Sequence, residues 1–309
     1  MELGPHLVLA LLESAVSTAV LALTAIGLAL VFGIMRVVNV AHGEFFMIGA
    51  LIAWWITDLL TGFSPAVGFI VALLVSPLIV GGIAYASDRM VIHRVQYDPE
   101  RTIVATVGLL YIFQQVSLMS FGPDARPVAA PFNTRLAIPW FEHTDTGWSL
   151  YWPWGLSITS YKLAVIGISI ALLIGVWLVL SRTRIGLIMR ATQQDKDIAQ
   201  AFGIRIERVY GLVFAAGGAL AALGAVLIVP IQQAHYLMGG DPLLLSFIVV
   251  ILGGLGSLSG TLVAAAIIGL SNGMIAVFFS PTLAKILATL LVAVVLIWRP
   301  EGLFTRGSR

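Results

Sequence analysis

The chain has 309 residues, of which 59% are hydrophobic and 10% charged, with 17 Lys and Arg, 15 Asp and Glu, and no cysteine. A soluble globular domain carries roughly 25% charge. One core of this length cannot hide so much apolar surface, so an ordinary cytosolic enzyme, a nucleic-acid-binding protein and a disordered scaffold are excluded in favour of the membrane class.

A helix crossing about 30 Å of hydrocarbon needs around 20 apolar residues. Runs of this kind lie at 7–34, 44–60, 65–87, 102–121, 161–181, 209–229, 240–255, 260–279 and 283–298. No basic residue precedes the first run, which is therefore expected to stay in the membrane rather than serve as a cleaved signal. The seventh run is short and ends in Gly253, Gly254, Leu255 and Gly256, which predicts a broken or re-entrant element. The expected fold is all-α: a polytopic integral membrane helix bundle of eight or nine transmembrane segments, forming one domain over 1–309.

Basic residues sort by loop. Thirteen of the 17 fall on one side, six of them in the single loop 182–208; Arg126, Arg135, Lys162 and Lys285 fall on the other. Basic loops stay in the cytoplasm, so nine crossings place the N-terminus outside and the C-terminus in the cytoplasm. The outer loop, about 122–160, holds Trp140, Trp148, Trp152 and Trp154 among five prolines. That density suggests a segment lying at the headgroup level.

In the inner loop, Ile185, Ile188, Met189 and Thr192 fall on one helical face, with Arg184 and Arg190 off it. A second short face, Ile198, Ala199 and Phe202, precedes Gly203, a natural helix terminator. Two short cytoplasmic helices are predicted, either resting on the inner leaflet or forming a docking surface.

Three sites break the apolar pattern. Asn39, His42 and Glu44 sit between two runs. Asn39 suits a turn and Glu44 suits the first turn of the next helix, while polar groups at membrane depth can instead line a path. Thr106 and Gln114 are polar positions inside the fourth run. Gly253, Gly254 and Gly256 can serve close helix packing or an unwound turn that acts as a gate.

Catalytic patterns are missing. The five histidines form no metal-binding pair, and no Gly-x-Ser-x-Gly elbow or Gly-Lys phosphate loop occurs. The sequence points to no enzyme, no cofactor and no metal.

Four ordered blocks carry a resemblance: GLALVFGIMRVVNVAHGEF at 27–45, TIVATVGL at 102–109, GGLGSLSG at 253–260 and RPEGLF at 299–304. Together they resemble the branched-chain amino acid ABC transporter permeases of the LivH type, over about residues 20–304. The loop 182–204 is similar to the coupling loop of ABC importer permeases. Ala199 and Gly203 match its Ala-x-x-x-Gly core, and Asp197 and Ile198 replace the leading Glu-Ala pair.

The resemblance implies a permease subunit in a bacterial or archaeal inner (plasma) membrane, moving branched-chain or other hydrophobic amino acids by alternating access. It implies a second, homologous permease as heterodimer partner and two cytoplasmic ATPases docked on the 182–208 loop. It also implies a periplasmic or lipid-anchored binding protein, surrounding membrane lipids and no nucleic acid. Arg184, Ile185, Gly186, Ile188, Met189, Arg190, Ala199, Phe202 and Gly203 would form the coupling surface. Relatives that carry urea, short amides or other amino acids leave the substrate open. A stand-alone secondary transporter is the rival class, and it would need ionisable groups at the midplane; Glu13 and Asp58 lie toward the outer ends of their runs.

Overall fold

Within hydrocarbon there is no water to satisfy the backbone, so a spanning chain closes its hydrogen bonds inside helices. The computed structural model describes residues 3–137, 140–144, 147–151 and 157–280, with 282–283, 286–290 and 294 beyond them. Among these residues six helices are long and apolar enough to cross a membrane. They are α1 (Leu3–Met35), α3 (Pro65–Ser87), α4 (Pro99–Phe121), α5 (Ser160–Arg182), α8 (Ile206–Ile228) and α10 (Leu258–Phe278).

Two further helices are apolar but shorter or more polar: α2 (His42–Leu59) and α9 (Gly240–Gly253). At 1.5 Å per residue the 14-residue α9 reaches only about 21 Å, less than the hydrocarbon thickness. It stops where expected, because Gly254 and Gly256 take φ of 92° and 85° and turn the backbone into the left-handed region. The run expected at 283–298 and the RPEGLF block lie largely or wholly outside the described residues.

The described residues are mostly helical, as expected of an all-α bundle, and the loop after α4 adds short strands that the expectation lacked. Four short strands form there: β1 (Arg135–Ala137) pairs antiparallel with β4 (Ser157–Thr159), and β2 (Trp140–Thr144) with β3 (Gly147–Tyr151). The physical reason is composition. Trp, Tyr, Phe, Ile and Thr favour extended pairing as well as membrane interfaces, so tryptophan density alone does not separate the two. The backbone bridge between Arg126 and Ala234 ties this loop to the segment before α9.

The centre of the bundle is α1 with α8. α1 packs against α5, α8, α9 and α10, and α8 also against α2 and α3. Without a hydrophobic drive between helices in lipid, such contacts rely on small residues and interhelical hydrogen bonds. Tyr161 donates to the Leu227 carbonyl at 2.8 Å and Ser76 to that of Gly49 at 2.9 Å. Lys162 pairs with Glu13 across α5 and α1. By contrast, few residues of α5 are buried within the bundle.

Candidate functional site

The break between α1 and α2 is built locally. Arg36, at φ 56°, ends the first helix, and the Asn39 side-chain oxygen accepts from the Ala41 N–H at 3.1 Å, an Asx turn that launches α2. The Val40 N–H donates to Thr106 Oγ1 on α4 at 3.2 Å. His42 Nε2 donates to the Thr24 carbonyl at 2.9 Å, which places its proton on that nitrogen. Glu44, in the first turn where the helix dipole favours a carboxylate, accepts from Gln114 Nε2 at 3.0 Å.

Asn39, His42, Glu44 and Thr106 are thus buried and Gln114 half-buried, and separate hydrogen bonds from the start of α2 reach α1 at Thr24 and α4 at Thr106 and, two turns further on, at Gln114. Two further residues escape sequence reasoning. Ser246 on α9 donates to Thr24 Oγ1 at 3.2 Å, so these contacts reach the short helix through Thr24. Lone hydroxyls in apolar helices give no sign of which neighbour they meet. His42 Nδ1 and Glu44 Oε2 are buried without a protein partner. Removing the α1–α2 tie with His42→Ala should lower stability by about 1–3 kcal/mol, since a fully buried side chain and its hydrogen bond to the Thr24 carbonyl are lost together. An unchanged Tm in detergent would assign that bond no stabilising role.

The glycine segment forms a separate site further along α9. Gly253 lies so close to α10 that a Cβ there would sit 2.5 Å from the Gly260 carbonyl carbon. Gly254 and Gly256 supply the turn. Close packing at Gly253 and a left-handed turn at Gly254 and Gly256 thus occur side by side. Gln193, not anticipated from sequence, donates to the Gly256 carbonyl at 3.1 Å. A Cβ on Gly33 of α1 would meet Gly256 Cα at 3.0 Å.

The loop after α5 folds into α6 (Arg184–Gln194) and α7 (Lys196–Ala201), as the periodicity predicts. Each carries its own cap: Thr183 Oγ1 accepts from the Gly186 N–H, and Asp195 Oδ1 from those of Asp197 and Ile198. Gly203, at φ 85°, closes α7. The predicted apolar stripe needs correction, because it does not face one way. Gly186, Met189 and Thr192 are buried against the bundle, while Ile185 and Ile188 are exposed. Gly186 abuts the Leu180 backbone, which leaves no room for a Cβ, so the buried line runs along the glycine edge and turns the isoleucines outward.

On α7, Ala199 is buried but Ile198 is exposed, and Phe202 is 85% exposed. Arg184 and Arg190 also face out. Ile185 and Ile188 line a groove of about 370 Å³ running to Arg208 and Leu212 on α8. Beside α7 a wider cavity of about 840 Å³ is edged by Arg89, Lys196, Arg205 and Arg208. Tyr97 lines it as well, and burial pushes its hydroxyl well above the usual phenol range, reinforced by the Asp88 carboxylate.

A polar cluster inside a small-residue bundle, a half-membrane helix and a capped helix pair with apolar residues turned outward are features of a transport subunit. The family described as branched-chain amino acid transport system, permease component, matches residues 10–296. The chain belongs to that family. It is similar to the high-affinity branched-chain amino acid transport system permease protein LivH of Escherichia coli (strain K12), 28% identical over 92% of this chain and 91% of LivH. It is also similar to BraD of Pseudomonas aeruginosa, 27% identical over 92% of this chain and 91% of BraD. The probable LivH protein of Methanocaldococcus jannaschii is 27% identical over 92% of this chain and 88% of its own. No solved structure matches. The polar residues at the start of α2, the glycine turn after α9 and the α6–α7 pair lie on different elements of this bundle.

Proposed function

We propose that this permease is one membrane-spanning subunit of an ATP-driven importer for branched-chain or related apolar amino acids, working by alternating access across the inner (plasma) membrane. A second, homologous permease completes the path, two cytoplasmic ATPases dock on 182–208, and a periplasmic or lipid-anchored binding protein delivers the solute. Residues 1–309 act as a single domain, with the N-terminus outside and the C-terminus in the cytoplasm. Supporting this orientation, thirteen of the 17 basic residues share one side.

The observation that carries the reading is the α6–α7 pair. It is anchored through Gly186, Met189, Thr192 and Ala199, and it presents Ile185, Ile188, Ile198 and Phe202 away from the bundle, in the most basic loop of the chain. Apolar residues turned outward on an anchored element mark an interaction site. Burying one such side chain contributes about 1.5–3 kcal/mol. Ile198→Glu combined with Phe202→Glu should therefore weaken association with the ATPase subunits at least roughly tenfold. The check is co-purification from a co-expressed complex; ATPases recovered at the wild-type ratio would refute docking on this surface.

Within the same reading, Asn39, His42, Glu44, Thr106 and Gln114 flank the path, and Gly253, Gly254 and Gly256 form its gate. The orphaned Glu44 Oε2 and His42 Nδ1 support a wetted cluster. Uptake that survives Glu44→Gln and His42→Ala at normal protein levels would reduce the cluster to packing.

A further inference from the structure

At the end of the bundle remote from α6–α7, a cavity of about 220 Å³ lies between α1, α2, α10 and the segment joining α8 to α9. At about 30 Å³ per water in the liquid, it has room for roughly seven waters. That is the scale of one small solute, not of a peptide or an oligosaccharide.

Its lining is divided by chemistry. Gln232 and His235 line it from the α8–α9 segment and Asp241 from the first turn of α9. The Leu237 N–H donates to His235 Nδ1 at 3.3 Å, so the neutral ring carries its proton on Nε2 and offers a donor there. Deeper in, Leu21, Phe46 and Leu245 supply apolar wall. On one side of that wall Asn272 donates to Ser17 at 3.2 Å, joining α10 to α1.

Thr24 also lines the cavity. It is the residue whose carbonyl binds His42 and whose hydroxyl binds Ser246. The cavity therefore adjoins the hydrogen bonds that tie α1 to the start of α2 and to α9. An anionic side chain at the start of α9 and hydrogen-bond donors on the segment before it, with an apolar chamber beside them, match a solute with paired charges at one end and a hydrocarbon group at the other. This is the usual construction of a small-molecule site, mostly apolar with a few convergent polar groups.

We propose that this cavity is the outer receiving site for the transported solute, a free zwitterionic amino acid with an apolar side chain. The ammonium meets Asp241, the carboxylate meets the His235 Nε2–H and the amides beside it, and the side chain enters between Leu21, Phe46 and Leu245. The assignment rests on the amino acid importer reading above and adds the place where this subunit itself holds its solute.

The test uses the absence of cysteine from the chain. Ser17→Cys inside the cavity, and separately Leu237→Cys on its lining, are introduced into the complete importer in proteoliposomes. Each is labelled with a small membrane-impermeant thiosulfonate, with and without leucine. At leucine about ten times its Kd, occupancy should slow labelling roughly tenfold at both positions. The same concentration of a pentose should have no effect, and Phe63→Cys in the exposed loop between α2 and α3 should be indifferent to both. Labelling at Ser17→Cys and Leu237→Cys that ignores leucine, in a complex that still imports leucine with ATP, overturns the receiving site and leaves the importer reading standing. Protection by the pentose equal to that by leucine overturns the amino acid assignment. A wild-type complex that imports no amino acid overturns the importer reading itself.

Discussion

Replacing Gln193 by leucine is expected to separate ATP hydrolysis from transport. Gln193 sits in the last turn of α6, and its amide donates to the Gly256 carbonyl at 3.1 Å. Gly256 lies in the turn between α9 and α10 and touches the end of α1 at Gly33. Three elements meet at that point: the helix pair proposed to receive the ATPase, the half-membrane helix and the central helix. A displacement of α6 therefore reaches the glycine turn through the hydrogen bond of a single side chain, Gln193, and passes on to α1 through a backbone contact.

Coupling between sites is a free energy difference, typically 1–3 kcal/mol, and losing about 1.4 kcal/mol changes a ratio roughly tenfold. Amino acid imported per ATP hydrolysed should fall by about that factor in Gln193→Leu. ATPase activity of the assembled complex should stay within about twofold, because Gln193 is not among the outward-facing residues proposed for docking and one hydrogen bond contributes only about 1 kcal/mol to folding. Gln193→Glu, which keeps the shape but sets a carboxylate against the carbonyl, should show the same loss, and Gln194→Leu on the exposed side should not. Unchanged import per ATP in both Gln193 variants would remove this residue from the transmission route.

How much of this is legible in the sequence differs by element. The apolar run at 65–87 coincides with α3 because Ser64 and Pro65 open the helix in the usual way, with Pro at N1. Its other end is less regular: the chain continues through a π turn and a 3₁₀ turn to Val95, and hydropathy carries no mark of that change in pitch. The capped α6–α7 pair is readable from spacing and from Gly203. Which of its apolar residues face the bundle is not, because that depends on Gly186 meeting the backbone of Leu180. The Asn39, His42 and Glu44 group stands out as a polar break, but its partners do not. Thr24, Ser246 and Gln193 acquire roles only from how α1, α6 and α9 cross, and periodicity says nothing about crossings. The strands in 135–159 were hidden for a related reason, since one composition serves two environments.

Gly273→Val should be strongly destabilising, by an amount readable in detergent as lost monodisperse protein or a sharply lower Tm. A Cβ at Gly273 would lie 2.3 Å from Ser14 Cα, and one at Gly269 would lie 2.6 Å from Thr18 Cα. The obstacles are backbone atoms of α1, so no side-chain rotation relieves them and the helices must separate. Overpacking a well-filled interior ordinarily costs about 1–3 kcal/mol, and a clash with main chain belongs at or above the top of that range. Separation would also break two ties between α1 and α10, the Ser14 hydroxyl to the Leu270 carbonyl at 3.0 Å and Asn272 to Ser17 at 3.2 Å.

The contrast lies within the same chain. Gly167 and Gly175 of α5 have open space where a Cβ would go, so Gly167→Ala should be neutral or should stabilise by up to about 1 kcal/mol through helix propensity alone. Equal thermal stability of Gly273→Val and Gly167→Ala would mean that α1 and α10 do not approach as closely as described. If the difference appears, it locates rigidity and freedom in the permease. The α1–α10 pair that walls the proposed receiving site is held by main-chain contact, whereas α5 keeps an open face on which lipid or the second subunit can settle without disturbing it.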